Sequence, residues 1–184
     1  MTGGRDFRRR KDSLTDYKKR LALVKGGTAR VVVRRSNKRI IGEIVSYAEI
    51  GDKVTAYVDS NSLKKLGWPS RSNRPTAYLT GMLLAKSAAK SKEPGKEYIL
   101  DIGLSSPVKN SVPFVFAKGC IDGGMKLKAN LDIKEVIYNY SNTEYAKKSS
   151  ENGGSQYSKF KKDGIKIEGL GELFESTKKK ILGE

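Results

Sequence analysis

Clustered arginines and lysines near the N-terminus are the side chains of this sequence best suited to bind a ligand. Arg8–Lys11 is an unbroken cationic run, and Lys18–Arg20 is a second one. Like charges with so few acids between them repel one another, whereas phosphate groups neutralise them and release counterions. Arginine outnumbers lysine over residues 1–39, and its planar guanidinium binds phosphate through two hydrogen bonds and stacks on bases. The pattern indicates a nucleic-acid partner.

A second group of cations surrounds a predicted chain reversal. Segment 34–39 reads Arg-Arg-Ser-Asn-Lys-Arg, and serine and asparagine are typical of turns because their side chains bond the local backbone. The same polar groups are able to bond a 2′-hydroxyl or a base edge. DNA-reading motifs, RNP aromatics and the GXXG loop are absent from the sequence. The residues alone therefore indicate structured RNA that is recognised by its shape and backbone.

No set of residues supplies a catalytic centre. The sequence has no His, which excludes imidazole acid–base chemistry, Ser-His-Asp and Cys-His nucleophiles, and His metal sites. Cys120 is the single cysteine, so disulfides and four-Cys zinc sites are excluded as well. Its predicted place inside a helix favours a small buried apolar role over a reactive thiol. We therefore expect no metal and no cofactor.

The remaining catalytic patterns are incomplete. Ser62-Leu-Lys-Lys65 matches S-x-x-K, but the other penicillin-binding signatures are missing. No Gly-Lys-Ser/Thr follows a glycine-rich loop, so no P-loop is predicted. Asp59 and Asp101 are predicted at two strand ends, yet nothing in the sequence would make one carboxyl an acid and the other a base. The sequence predicts that the protein is not an enzyme.

Positive charge is concentrated near the N-terminus. The 184 residues carry 37 Lys and Arg against 20 Asp and Glu, a formal net charge of +17. Residues 1–39 hold 14 of the cations and three acids, a net charge of +11. The apolar run 77–85 is too short to span a bilayer, and the N-terminal arginines precede no apolar signal-peptide stretch. We expect a soluble cytosolic protein with one main domain.

The N-terminal elements place both cationic groups. Residues 1–12 contain one aromatic side chain and no periodic apolar pattern, so we expect an arm that orders on its partner. A helix is predicted from Ser13 to the glycines at 26 and 27. Strands are predicted over 29–35 and 39–47, joined at 36–38, and over 53–59. Four apolar residues at helical spacing support the helix: Leu14, Tyr17, Leu21 and Val24. In the third strand, Val54, Ala56 and Val58 are predicted to share the buried face.

The following elements alternate between helices and a strand. The pattern predicts a helical turn over 61–66, a polar loop over 68–74, a helix over 75–92, a strand over 98–102, and helices over 113–122, 132–140 and 170–182, with a linker over 149–156. The strand after a long helix is typical of a parallel βαβ unit. We therefore predict an α/β fold whose mixed sheet begins with an antiparallel hairpin. The predicted divisions are a basic arm and helix (1–28), an α/β core domain (29–128) and a helical C-terminal extension (129–184).

Short motifs along the chain follow an order and spacing known from one family. They are Arg8-Arg-Arg-Lys11, Thr15-Asp16-Tyr17, Arg20-Leu21, Arg30-Val-Val-Val-Arg34, Ser36-Asn37-Lys38 with Ile40, Asn73-Arg-Pro-Thr-Ala-Tyr-Leu-Thr-Gly81, Asp101-Ile-Gly-Leu104 with Pro107, Lys118-Gly119, Asp122-Gly-Gly124 and Lys178-Lys-Lys-Ile-Leu182. Together they resemble large-subunit ribosomal protein eighteen in its archaeal form, which is related to eukaryotic large-subunit protein five. The resemblance covers nearly the whole chain and is weakest over 129–162.

This resemblance implies a non-enzymatic protein that binds 5S rRNA and helps attach it to the large rRNA in the central protuberance. The implied partners are 5S rRNA, large-subunit rRNA and neighbouring ribosomal proteins, including large-subunit protein five, with no membrane and no DNA. From the charge pattern and the resemblance together, the candidate RNA-binding residues are Arg8, Arg9, Arg10, Lys11, Tyr17, Lys18, Arg20, Arg34, Arg35, Ser36, Asn37, Lys38, Arg39, Arg71, Asn73 and Arg74.

A second interpretation retains RNA as the partner but assigns the chain to another class of protein. The chain would then be a free RNA-binding or RNA-modifying factor that joins the ribosome only transiently. Retention distinguishes the two, because a structural component stays with large subunits through a high-salt gradient and a transient factor washes off.

Overall fold

A mixed sheet of five strands, with helices packed on one face, organises the protein. The computed structural model describes residues 8–90, 97–129, 131, 160, 162–165 and 169–183. The strands are β1 (Arg30–Arg35), β2 (Ile40–Ser46), β3 (Lys53–Asp59), β4 (Glu97–Asp101) and β5 (Lys126–Leu127). The helices are α1 (Arg8–Lys11), α2 (Tyr17–Lys25), α3 (Arg74–Ala89), α4 (Val112–Asp122) and α5 (Leu170–Leu182), with a 3₁₀ helix over Ser60–Leu66.

The sheet topology confirms the predicted hairpin and the parallel addition to it. The strand order is β3-β2-β1-β4-β5, with β1–β2 and β2–β3 antiparallel and β1–β4 parallel. Helix α3 lies in the connection from β3 to β4, as a βαβ unit requires. The sequence did not predict β5, because two residues are too few to produce an alternating pattern. The predicted α/β fold class is therefore confirmed.

The third strand has the predicted bounds, but its predicted face is partly wrong. Ala56 and Val58 are buried, whereas Val54 is 51% exposed. The cause is a bulge, since Ile44 pairs with Ala56 and the next residue, Val45, pairs with Val54. Thr55 is thereby left without a partner in the register, and the alternation of side chains between the two faces shifts by one residue. Val54 consequently lies on the face opposite the core.

The hydrophobic core lies between the sheet and helices α3 and α4. The sheet contributes Val31 and Ile44, and the helices contribute Leu79 and Phe116, all nearly or completely inaccessible. Helix α3 is buried over most of its surface, including Thr76 and Thr80, whose hydroxyls bond within the fold. In the last turn of this helix, Ala88 is buried and Ala89 is exposed.

Helices α3 and α4 cross at a pair of glycines. A Cβ on Gly81 would overlap the backbone carbonyl of Phe116, and a Cβ on Gly119 would overlap that of Tyr78. Only glycine permits so close an approach of two helix backbones, because any side chain would force the helices apart. The contact aligns α3 and α4 on the sheet.

The C-terminal helix belongs to the same core. Phe174 and Ile181 of α5 are buried in the main hydrophobic cluster. The Phe174 ring packs edge-on against Trp68, whose indole Nε1 donates to Thr76 Oγ1 at 2.9 Å. Trp68 is therefore a buried anchor at the start of the loop that was predicted to be polar. A helix was predicted over 132–140 and a linker over 149–156; both lie outside the described residues.

Within the described ranges, no helix combines the length and the apolar character needed to cross a membrane.

Candidate nucleic-acid interface

The arm and the first long helix are joined by a sharp bend. Helix α1 is a single turn in which every residue is exposed. The bend follows at Ser13, whose φ is 51°, and Arg9 Nε donates to Thr15 Oγ1 at 3.0 Å across it. Helix α2 then begins at Tyr17 and not at Ser13, because the carboxylate of Asp16 caps it by accepting from the Lys19 backbone N–H at 3.0 Å.

Helix α2 does not bury the apolar stripe that the sequence revealed. Leu14, Leu21 and Tyr17 are 56%, 57% and 37% exposed, and no residue of the helix is buried. Its inward residues are the half-buried Lys19, Arg20, Leu23 and Val24. The helix therefore meets the sheet partly through long cationic side chains.

A groove of about 760 Å³ separates α2 and the bend from the sheet face opposite the core. Arg9 lines it from the arm, Lys19 from α2, and Arg34 and Arg35 from the far end of β1. Hydrophobic residues line it as well, among them Val32 and Leu104. The groove thus connects the two cationic groups that the sequence singled out, which are separated along the chain by α2 and β1.

An ion-pair cluster, formed by Arg20, Arg30, Asp52 and Asp101, lines one part of this groove. Arg30 bonds Asp52 Oδ2 through Nη2 at 2.7 Å and Asp101 Oδ2 through Nη1 at 2.9 Å. Arg20 Nη2 bonds the same Asp52 oxygen at 2.8 Å. The Arg30 side chain is only 5% exposed, so two carboxylates compensate its burial. The candidate list included Arg20 and missed the other three residues.

The hairpin tip is held against the loop that follows the 3₁₀ helix. Within the tip, the Ser36 hydroxyl accepts from the Arg39 backbone N–H at 3.1 Å. The Ser72 hydroxyl donates to the Ser36 carbonyl at 2.6 Å, and Arg35 Nε donates to Ser72 Oγ at 3.2 Å. Arg39 pairs with Asp59 at 3.2 Å. These bonds fix the tip and bring residues 34–39 beside residues 71–74.

Three candidate residues lie in this loop and have different roles. The Asn73 side chain caps α3 by accepting from the Thr76 backbone N–H at 3.2 Å. Arg71 forms an ion pair with Asp163, and its guanidinium lies over the Phe160 ring, 5.7 Å from the centroid. Arg74 begins α3 and is exposed. Two of the three are therefore engaged within the protein, and Arg74 faces solvent.

The candidate cations and polar residues divide into two groups by their setting. Those on exposed backbone segments are Arg8, Arg9, Arg10, Lys11, Tyr17, Lys18, Arg34, Arg35, Ser36, Asn37, Lys38, Arg39 and Arg74; those half-buried are Arg20, Arg71 and Asn73. Arg30 was missed because its partners lie far away in the sequence, on another strand and in a turn. Only the parallel pairing of β1 with β4 brings Asp101 to Arg30.

The structure also places the acids and the cysteine that the sequence analysis considered for catalysis. Asp59 ends β3 and Asp101 ends β4, with β2 and β1 between them, and each bonds an arginine. Cys120 is fully inaccessible, and burial raises the pKa of its thiol well above the usual range. Among the described residues, no three His, Cys, Asp or Glu side chains gather as metal ligands would.

The chain is similar to ribosomal proteins over most of its length. A family model described as "Ribosomal large subunit proteins 60S L5, and 50S L18" matches residues 5–99. The large ribosomal subunit protein uL18 of Korarchaeum cryptofilum is 39% identical over 181 residues, which is 95% of this chain and 92% of the relative. That of Methanococcus maripaludis is 36% identical over 185 residues, with 96% and 94% covered.

Proposed function

Because the chain belongs to the family of ribosomal large-subunit proteins 60S L5 and 50S L18, we propose that it binds 5S rRNA and helps attach it to the large rRNA in the central protuberance. Family membership makes it a structural protein of the large subunit of the cytoplasmic ribosome and not an enzyme. The proposal concerns which RNA it contacts and through which residues.

The continuity of the cationic surface carries this proposal. The groove runs from Arg9 on the arm to Arg34 and Arg35 at the end of β1. From there, the bonds of Ser72 to the tip and to Arg35 connect it to the loop that bears Arg74. A continuous row of cations suits an RNA backbone, because phosphates recur along each RNA strand and on both sides of the RNA grooves.

The hairpin tip supplies polar groups in addition to charge. Asn37 and Lys38 are exposed at its apex, while the Ser36 and Arg39 bonds hold the backbone. A rigid tip with an amide and an ammonium group is suited to contact a 2′-hydroxyl and a phosphate at fixed separation. The proposed RNA contacts are accordingly the arm, the solvent side of α2, the tip and Arg74, with Arg71, Asn73 and Arg20 as supporting residues beneath them.

The further partners follow from the same role. A protein that links two RNAs needs contacts with both, so the large-subunit rRNA is a second proposed partner. Neighbouring proteins of the central protuberance, including large-subunit protein five, are proposed as the others. The exposed Leu14, just before α2, and Leu21, on α2, offer apolar surface for such contacts, which a phosphate backbone does not cover.

Cross-linking in purified large subunits tests the proposal. Ultraviolet cross-links from this chain, mapped by sequencing the attached RNA, are expected in 5S rRNA and in the adjoining large rRNA. Cross-links confined to rRNA far from 5S rRNA would overturn the assignment. A high-salt gradient tests the alternative of a transient factor, since the chain is expected to remain with large subunits at about one copy each.

A further inference from the structure

We propose that the ion-pair cluster of Arg20, Arg30, Asp52 and Asp101 is a positioning device that fixes helix α2 on the sheet and so directs the basic arm towards RNA. The inference rests on the proposed function, because it assigns a role within the same RNA-binding surface. It gives Arg20 the part of a positioning residue that acts through Asp52 and makes no contact with phosphate.

Helix α2 needs such a fastening because it gains little from apolar burial. None of its residues is buried, and Leu21 is more than half exposed. A helix of nine residues is only marginally stable by itself, so its position depends on contacts with the rest of the fold. Its polar contacts include Arg20 Nη2 to Asp52 Oδ2 at 2.8 Å and Lys19 Nζ to the Gly103 carbonyl at 3.0 Å.

Arg30 makes the cluster a rigid base for this fastening. Its nearly inaccessible guanidinium holds Asp52, in the β2–β3 connection, and Asp101, at the end of β4. The second oxygen of Asp101 accepts from the Gly103 backbone N–H at 3.0 Å, and Gly103 in turn accepts from Lys19. These two polar contacts, from Arg20 and from Lys19, therefore end on groups that Arg30 orders.

The charge of the cluster argues against a direct contact with RNA. Two arginines and two aspartates sum to zero, so the cluster adds no net attraction for phosphate. Asp52 and Asp101 instead place two carboxylates beside the cations of the groove, which Asp16 and Glu43 also line. A role in positioning explains why these acids are present at the groove.

Replacing Asp52 by Ala is expected to change the affinity for 5S rRNA in opposite directions, depending on whether Asp52 acts only through its charge or positions α2. If Asp52 acted only through its charge, Asp52→Ala would tighten the binding of 5S rRNA, because it removes a repelling carboxylate. We expect the reverse, a loss of about fivefold, which is what one partly exposed ion pair of this kind contributes. Asp12→Ala is the matched control, since Asp12 is exposed on the arm and pairs with Arg8 only at 3.7 Å. That control is expected to bind equally well or more tightly.

Arg20→Gln provides a second test that leaves Arg30 with both carboxylates. We expect a similar loss of affinity, an unchanged slope of log affinity against log salt, and faster hydrogen exchange of the α2 amides at 21–25. A direct phosphate contact would instead make the slope shallower by about 0.7 to 0.9 and leave exchange unchanged. Lys18→Gln, on the solvent side of α2, is expected to show that second behaviour.

These outcomes separate the inference from the proposed function. If the wild-type chain does not bind 5S rRNA, the proposed function is wrong, while hydrogen exchange in Arg20→Gln still reports whether the cluster holds α2. If the wild type binds, tighter or unchanged binding by Asp52→Ala, or a shallower salt slope in Arg20→Gln, overturns the inference. If Asp52→Ala loses hydrogen-exchange protection throughout the sheet, its fold is disturbed, and the Arg20→Gln results alone then decide whether the cluster positions α2.

Discussion

Single residues of the candidate interface differ in whether they are bonded within the fold or exposed to solvent. The Arg30 side chain is 5% exposed and bonds two carboxylates, whereas that of Arg34 is 66% exposed and meets Glu43 only at 3.6 Å. Arg39 is intermediate, since it is half exposed and bonds Asp59. A sequence pattern counts all three as equal cations. Their free energies of interaction with RNA are expected to differ, because a guanidinium already paired must lose a carboxylate to gain a phosphate.

Replacing Arg34 and Lys38 by Ala tests the presented cations. Each lost phosphate contact is expected to cost about 1 kcal/mol or somewhat more of 5S rRNA binding and to make the salt slope shallower. The thermal midpoint should change little, because exposed charges contribute little to stability. Filter binding measures the affinity and its salt slope, and a melting curve measures the thermal midpoint. Lys126→Ala with Lys179→Ala removes the same charge from other exposed sites; equal losses in the two double variants would show that the tip has no special role.

Tyr78 predicts how stability responds to alkaline pH. Its hydroxyl donates to Asp122 at 2.8 Å, and burial, with that carboxylate as the smaller cause, raises the pKa of the phenol far above its usual range. Above pH of about 10, an unfolded chain loses this proton and the folded chain keeps it, so the free energy of unfolding falls as the pH rises. Melting curves from pH 8 upwards should therefore decline more steeply for the wild type than for Tyr78→Phe. Parallel declines would contradict this assignment.

At the scale of elements, the sequence pattern predicted the helices and strands whose formation depends on local apolar spacing. The strands β1 to β4 and helices α3 to α5 were predicted to within a few residues, because their apolar spacing matches their burial. The bulge opposite Val45 was not predictable, since it arises from the pairing of β2 with β3 and leaves no signal in either strand alone. The exposure of α2 was likewise hidden, because an apolar stripe predicts a helix and does not reveal whether anything covers it. The RNA-binding residues themselves stay a prediction.

At the crossing of α3 and α4, adding a single methyl group is expected to lower folding stability strongly. Gly81→Ala would place a Cβ against the Phe116 carbonyl, a backbone group that cannot rotate away. We expect a loss of about 3 kcal/mol of folding stability, at the upper end of the range for overpacked cores. Urea unfolding measures it. Gly169→Ala is the control, because a Cβ there meets nothing within 4 Å; equal midpoints for the two variants would show that the helices separate without cost.

At the scale of the whole molecule, most of the net positive charge and most of the buried core lie in different parts of the sequence. Residues 1–39 carry a net charge of +11 out of +17, yet the buried core is built mainly from residues 31–125 and α5. The described arm residues, 8–12, are all exposed and contribute nothing to this core. This division suits a protein that folds on its own and then docks on a polyanion, because the arm's repulsion is relieved only on binding.

The most direct test of the central claim is the salt dependence of 5S rRNA binding by the full chain, measured beside a base-paired RNA of equal length. If the arm, tip and α2 neutralise about six to ten phosphates, log affinity should fall against log salt with a slope of about −4 to −9. The account predicts this steep slope together with tighter binding of 5S rRNA than of the control RNA at every salt concentration. A nearly flat slope, or equal affinities for the two RNAs, would contradict it.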